Sequence, residues 1–352
     1  MSTQRAAITP EQFFSGREIN RKYPGTYDTA QQIWDALIVE QDRLASAPKE
    51  DKSSDRGLVQ QHTSTSPLYF RGQSNHSYGL STSLHRFMRN ENSAKITERA
   101  LAELEGAVLD QMTGRGLGRG MSRGELLMVL QHHGGPTRLM DVSDRPLEAL
   151  YFAVEGGDAV DGRLFIMAVS EQEHGGHRMK LSGQADLPWA KFTRGTNQAS
   201  SEWTTAVKLI DDRPLDPRML AQRGRFLVGG LQRAYSEWTV KHDGVALNAK
   251  ELQAVSTLTI GFLKQNNQKS NWPALGWTMR IPAAEKPRLR EMLGSREISH
   301  ETMYPDLAST AWQSYEAARN ENYTHEWHDK VSAACDGVAS DASRSVVRRG
   351  VA

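Results

Sequence analysis

The chain has 352 residues, 38% of them hydrophobic, and a formal net charge of +1. So balanced a charge excludes a global field that would draw the protein to nucleic acid or to a membrane surface. The length suits one large domain or two ordinary ones, and the lone cysteine, Cys335, excludes a disulfide within the chain. No apolar run has the length needed to span a bilayer, and Met1 to Pro10 lacks the apolar core of a secretory signal. The expected setting is the reducing cytoplasm, with no membrane partner.

Ile33, Trp34, Leu37 and Ile38 recur at helical spacing after Asp28 and Thr29, which suit a helix start. Ala45 to Pro67 is polar, rich in Ser, Asp, Lys and Gln, and reads as a loop or a disordered insertion. Leu68 to Arg71 is short and β-prone, a strand expected to end at Gly72. Ser93 to Met112 predicts a helix with Leu101, Leu104, Val108 and Met112 on one face. The glycines of Gly114 to Gly120 follow a helix, whereas a dinucleotide-binding loop follows a strand. That stretch reads as a mobile loop, with Arg115 and Arg119 free to meet phosphate.

Glu125 to His133 predicts a helix closed by Gly134, Gly135 and Pro136, since glycine suits the C-cap and proline stops continuation. Arg145 to Val154 predicts another, with Pro146 in its first turn. Gly162 to Val169 reads as a buried strand, and Phe226 to Val228, Thr257 to Phe262 and Thr278 to Ile281 as later strands. Pro287 to Leu293 predicts a helix, and Val331 to Ala352 a loose tail. The expected layout is a helical, polar extension at 1–66, a core domain at 67–310, and a C-terminal helix and tail at 311–352.

Several polar residues sit among apolar neighbours that would hold them rigidly near a core. Arg71 ends an aromatic strand; its guanidinium could grip phosphate through paired hydrogen bonds or form an ion pair with Asp141. Gly72 would let a ligand approach the backbone. His132, Arg138 and Asp141 surround the Gly-Gly-Pro turn. Either His132 acts as acid or base, Arg138 binds an anion and Asp141 positions one of them, or Asp141 caps a helix and pairs with Arg138. His133 either shares that site or lies on a helix face.

Ser81, Thr82 and Ser83 offer hydroxyls for a sugar or for turn and cap bonds. Ser143 has the same two readings, with an N-cap role as its structural alternative. Gln222, between Arg218, Arg223 and Arg225, could address a ribose or nucleotide edge, or be a buried amide; Gly224 would permit close approach of a phosphate chain. No metal site is expected. The pair His174 and His177 lies in a glycine-rich turn, and no cysteine pair accompanies any histidine.

The residues also carry a resemblance. Leu68-Tyr69-Phe70-Arg71-Gly72-Gln73, Leu80 to Arg86, Gln131 to Asp141, Arg218 to Phe226, and Tyr304-Pro305-Asp306-Leu307 fall in the order of blocks seen in the FRG domain family. Thr82 replaces a usual Pro, Met140 a usual Leu, and Val142-Ser143 a usual Trp-Thr. The resemblance implies a part in bacterial defence against phage, or in a toxin–antitoxin system with an antitoxin or regulatory partner.

The order of motifs is in turn similar to that of ADP-ribosyltransferases. This likeness implies an α+β fold of mixed and antiparallel sheets with packed helices, and NAD as the substrate. Arg71, Ser143 and Gln222 would take the places that hold NAD and its nicotinamide ribose, with Gly72, Gln73, Ser83 and Arg138 completing the NAD site. His132, Asp141 and Gln222 would act beside Arg71 in the chemistry, on an RNA or protein acceptor. A late glutamate typical of that class is missing at the Gln222 block, so the carboxylate falls to Glu148, Glu237 or Asp141. Two alternatives stay open: a non-catalytic nucleotide- or RNA-binding module, and a metal-independent nuclease using His132 and Arg138.

Overall fold

Gly162–Val169 is the spine of the fold, a strand buried at all eight positions. Its apolar run Leu164–Val169 has no polar face, which marks a strand covered on both sides, and the buried Arg163 beside it pairs with Glu18. The computed structural model describes residues 6–22, 24–46, 67–91, 96–169, 178–184, 186–190, 203, 205–214, 217–232, 239–262 and 272–305. The chain divides into two units, Met1–Tyr304 and Pro305–Ala352. The His174 and His177 pair, Glu237, Cys335, the expected tail and most of the expected polar loop lie outside the described residues.

Among the described residues the helices are α1 (Pro10–Ser15), α2 (Ile19–Lys22), α3 (Ala30–Ser46), α4 (Ser83–Glu91), α5 (Glu98–Gly114), α6 (Arg123–His132), α7 (Pro146–Val154), α8 (Pro217–Ala221), α9 (Ala249–Val255), α10 (Lys286–Gly294) and α11 (His300–Met303). The strands are β1 (Leu68–Gln73), β2 (Met140–Ser143), β3 (Gly162–Val169), β4 (Arg178–Met179), β5 (Val207–Ile210), β6 (Gly224–Gly229), β7 (Lys241–His242), β8 (Val245–Ala246), β9 (Ile260–Phe262) and β10 (Ala274–Ile281). Eight of them form one sheet in the order β4-β5-β6-β2-β1-β3-β10-β9, and β7 pairs with β8 separately. The sheet is mostly antiparallel; only β4–β5 and β9–β10 run parallel. This is a mixed α/β architecture with a large sheet, in keeping with the expected α+β class.

Alternation along the strands builds a core on each face. Leu68 and Phe70 of β1, with Leu164, Ile166 and Ala168 of β3, join α3, α7 and α10 in one cluster. Tyr69, Phe165, Met167 and Val169 join Phe13 and Phe14 of α1 and Leu252 and Val255 of α9 in another. A third cluster packs α5 and α6 against Ile210, Phe226 and Val228 and the indoles of Trp189 and Trp203. Within residues 6–46, Phe13, Phe14, Ile33 and Leu37 are thus part of the core.

Local signals account for several element boundaries. Ser122 and Glu125 form a reciprocal capping box at the start of α6, and Gly134 turns the chain out of it at φ 79°. Pro146 opens α7, where its missing N–H costs no helical hydrogen bond. The N-cap of α7 is Arg145, so Ser143 does not fill that position. Asp141 lies in β2 and caps no helix. β1 runs to Gln73, past the expected stop at Gly72.

Candidate functional site

β1 and β2 pair at one position, Phe70 opposite Ser143. Beyond it β1 continues with β3 alone, Arg71 opposite Phe165 and Gln73 opposite Arg163. A cleft of about 1140 Å³ opens at this parting. Phe70 to Gln73 and Met140 to Ser143 line it from the two strands, Ala149, Phe152 and Glu155 from α7 and the residue after it, and Ser81 to Ser83 and Ala254 from the other side.

Arg71 bridges the parted strands. Its Nη1 donates to the Asp141 carbonyl at 2.5 Å and stands 3.6 Å from Asp141 Oδ2. Among the described residues its Nε is buried without a hydrogen-bond partner. Both sequence readings of Arg71 are present together, a place on the cleft and an ion pair with Asp141. The Asp141 side chain is 58% exposed. Gln131 Nε2 donates to Asp141 Oδ2 at 2.7 Å, and Thr137 Oγ1 donates to Gln131 Oε1 at 2.5 Å. The Thr137 N–H then donates to Ser83 Oγ at 3.0 Å, and Ser83 Oγ lies 3.1 Å from the Thr137 carbonyl. One network therefore joins the three motif blocks that begin at Leu68, Leu80 and Gln131.

Ser143 ties β2 to the approach of β6. Its Oγ donates to the Gln222 carbonyl at 3.0 Å and accepts from the Arg145 N–H at 3.1 Å. Gln222 Nε2 donates to the Met303 carbonyl at 2.9 Å. His132 and His133 end α6, their rings 5.1 Å apart and edge to face, and both line the cleft. Gln73 Nε2 donates to the Gly79 carbonyl at 3.2 Å, while its Oε1 is buried and unpartnered.

Two expectations are corrected by geometry. Arg138 is absent from the cleft wall. Its Nε is 2.6 Å from Glu105 Oε2 and its Nη1 3.0 Å from Glu98 Oε2, with all three side chains buried. Trp189 Nε1 donates to Glu105 Oε2 at 3.1 Å and Trp203 Nε1 to Glu98 Oε2 at 3.3 Å. Burial pushes the Glu105 carboxyl up, against the pull of the Arg138 guanidinium. A guanidinium so enclosed does not meet a ligand phosphate, and it does not pair with Asp141. The joint action of His132 and Arg138 expected of a nuclease has no support here.

Gly72 is the second correction. A Cβ there would stand 1.9 Å from the Ala149 carbonyl oxygen and 2.6 Å from the Ala153 nitrogen. The missing Cβ admits α7 on that side, while the Gly72 backbone remains part of the cleft lining. Gly224 is under no such pressure, because a Cβ there would meet Met219 O at an ordinary 3.4 Å. Arg115 and Arg119 also lie away from the cleft lining.

Sequence reasoning missed Glu155, Arg86 and Arg89, all of which line the cleft. Glu155 follows α7 directly, and the Tyr304 hydroxyl donates to its Oε2 at 2.8 Å. Burial raises its pKa above the usual carboxylate range, partly offset by that hydrogen bond. Arg218 stacks over the Tyr304 ring at 4.5 Å. Glu148, a carboxylate the sequence favoured, is not among the lining residues. The signal for Glu155 was a carboxylate beside a Gly-Gly pair at a helix end. Arg86 and Arg89 sit on α4, which Leu84 and Met88, four residues apart, could have marked.

Lys286 holds the surroundings of Glu155 in place. Its wholly buried ammonium donates to the carbonyls of Ser74, Gly156 and Gly157 at 2.7, 2.8 and 3.0 Å. It thereby staples the end of β1 to the end of α7. No group of three or more His, Cys, Asp or Glu side chains suited to a metal ion occurs among the described residues. No helix among them is long and apolar enough to cross a membrane.

The fold and site together define a mixed α/β protein whose split sheet frames a polar, arginine-lined cleft. Residues 66–162 match the FRG domain. The match spans β1 to the start of β3 and includes Arg71, Ser83, Gln131, His132, Asp141, Ser143 and Glu155. The Arg218 to Phe226 and Tyr304 to Leu307 blocks fall outside it. No curated protein and no solved structure matches the chain.

Proposed function

We propose that the cleft binds NAD and that the protein is an ADP-ribosyltransferase-like enzyme acting on RNA or protein. The observation that carries this reading is the meeting of Arg71, Ser143 and Gln222 at one cleft although they lie far apart in the chain. Their order is the one in which such transferases hold NAD. A cleft of about 1140 Å³ also has room for a dinucleotide and part of an acceptor.

In the reaction the bond between nicotinamide and ribose breaks, and nicotinamide leaves with the electron pair. Positive charge develops on the ribose, and the acceptor's nucleophile bonds to its C1′ and gives up a proton. A carboxylate facing the ribose lowers that barrier. Among the described residues, Glu155 and Asp141 are the two carboxylates on the cleft wall. We favour Glu155, which accepts one hydrogen bond from the neutral Tyr304 hydroxyl, over Asp141, whose Oδ2 faces the Arg71 guanidinium and accepts from Gln131. A role as a defence toxin, held in check by an antitoxin or regulatory partner, follows from the FRG resemblance and is part of the proposal.

A second reading, a nucleotide-binding module without chemistry, is favoured by the network from Arg71 to Ser83, which fixes the cleft before any ligand arrives.

Labelled NAD incubated with the purified protein, cellular RNA and cellular protein decides between them. Label on an acceptor, or free nicotinamide, is expected. Arg71→Ala should lower kcat/KM by roughly tenfold or more, the worth of a charge-assisted hydrogen bond. Because the pKa of Glu155 is raised, its charged form fills in only as pH climbs above the ordinary glutamate range. The rate should rise with pH through that raised value, and Glu155→Gln should abolish the rise. NAD binding with no turnover at any pH would establish the binding module instead.

A further inference from the structure

The face of α4 that borders the cleft presents Arg86 and Arg89, three residues apart and so on one side of the helix. Both line the cleft with Arg71. Among the described residues neither forms an ion pair with a carboxylate. Arg86 Nη1 donates to the Ser81 carbonyl, which fixes its guanidinium and adds no negative charge. The nearby carboxylate, Asp141, is shared with Arg71 and Gln131. Arg86 thus lies within electrostatic range of Arg71, Arg89 and Asp141, and among the described residues Arg71 keeps a buried Nε without a hydrogen-bond partner.

An excess of positive charge lining a cleft attracts an anion to it. The same neighbours act on Arg86, a surface residue of the cleft whose pKa is lowered by partial desolvation and by the charges of Arg71 and Arg89, against the pull of Asp141. The arginine planes suit an anion with several oxygens, because each guanidinium can offer two parallel N–H donors. A diphosphate has enough oxygens for three such partners, whereas one carboxylate has two.

We propose that Arg86 and Arg89, with Arg71, form a diphosphate-binding subsite on the α4 side of the cleft. The subsite rests on the NAD reading for its ligand, the diphosphate that joins the halves of a dinucleotide. It extends the binding role of α4 beyond Ser83 at its start to the arginines of its exposed face. It also orients the ligand, with the diphosphate toward α4 and the ribose that reacts toward Glu155.

Calorimetric titration of the full chain with ADP-ribose, inorganic pyrophosphate and adenosine tests this. The variants are Arg86→Gln/Arg89→Gln and, as a control, Arg288→Gln, which removes one exposed charge on α10. Thermal unfolding verifies that each variant is folded. The double variant should bind ADP-ribose and pyrophosphate at least about tenfold more weakly, as expected for lost charge-assisted hydrogen bonds, with adenosine binding and the control unchanged. Unchanged ADP-ribose affinity in the double variant would overturn the subsite, as would an equal loss for adenosine. So would wild-type protein that binds neither ADP-ribose nor pyrophosphate.

NAD turnover separates this inference from the one beneath it. Turnover with an unaltered KM in the double variant would remove the subsite and keep the transferase. Pyrophosphate binding that depends on Arg86 and Arg89, in a protein that never consumes NAD, would keep the subsite and remove the transferase.

Discussion

Arg138 and Asp141 stand three residues apart in one motif and face opposite environments. Asp141 faces the cleft beside Arg71, while Arg138 is enclosed with Glu98, Glu105 and the stacked indoles of Trp189 and Trp203, 5.7 Å apart. Leaving a buried charge unpaired is far more damaging than replacing the whole group by apolar residues. Arg138→Met should therefore destabilise the protein by about 3–5 kcal/mol, measured from urea unfolding midpoints. Adding Glu98→Gln and Glu105→Gln to that variant should recover much of the loss. An Arg138→Met protein of unchanged stability, with weakened ligand binding, would show that Arg138 serves the site after all.

At the scale of elements, the site depends on how closely α7 lies on β1. Ala149 and Ala153 on the helix and Gly72 on the strand leave no room for another carbon between them. Gly72→Ala should push α7 away and cost about 1–3 kcal/mol, the usual penalty for overpacking. Because Glu155 follows α7, the same substitution should impair NAD turnover more than thermal stability alone would explain. A crystal structure of the variant with α7 undisplaced would contradict this. Lys286 acts at the same scale, since its three carbonyl partners belong to the ends of β1 and α7. The helix α4 was invisible in the sequence reading because Ser81, Thr82 and Ser83 drew attention as hydroxyls. Its short apolar pair, Leu84 and Met88, is a weak periodic signal.

For the whole molecule, the sheet needs cover on both faces. Phe14 from α1 supplies part of it, fully buried and edge to face with Phe165 at 5.3 Å and Phe262 at 4.9 Å. Phe14→Ala should cost about 3–5 kcal/mol, the combined loss of apolar burial and the cavity left behind, measured from denaturant midpoints. A chain lacking residues 1–16 should unfold more readily than the intact protein for the same reason. Stability independent of Phe14 would mean that the face is closed by something else.

The sequence by itself determined the elements whose signals are local. The apolar run of Leu164–Val169, the glycine turn that closes α6 and Pro146 at the head of α7 each act within a few residues, and each was legible. So were most residues that reach the cleft, because polar groups set in apolar segments are held rigidly wherever the core forms. What only the tertiary structure decided is which of them share a space. The parting of β1 from β2, the inward turn of Arg138, and the entry of Glu155, Arg86 and Arg89 come from pairings between distant segments. The role of Gly72 shows the reason. A missing side chain reads the same whether a ligand or a helix takes the space, and only the packed neighbour tells them apart.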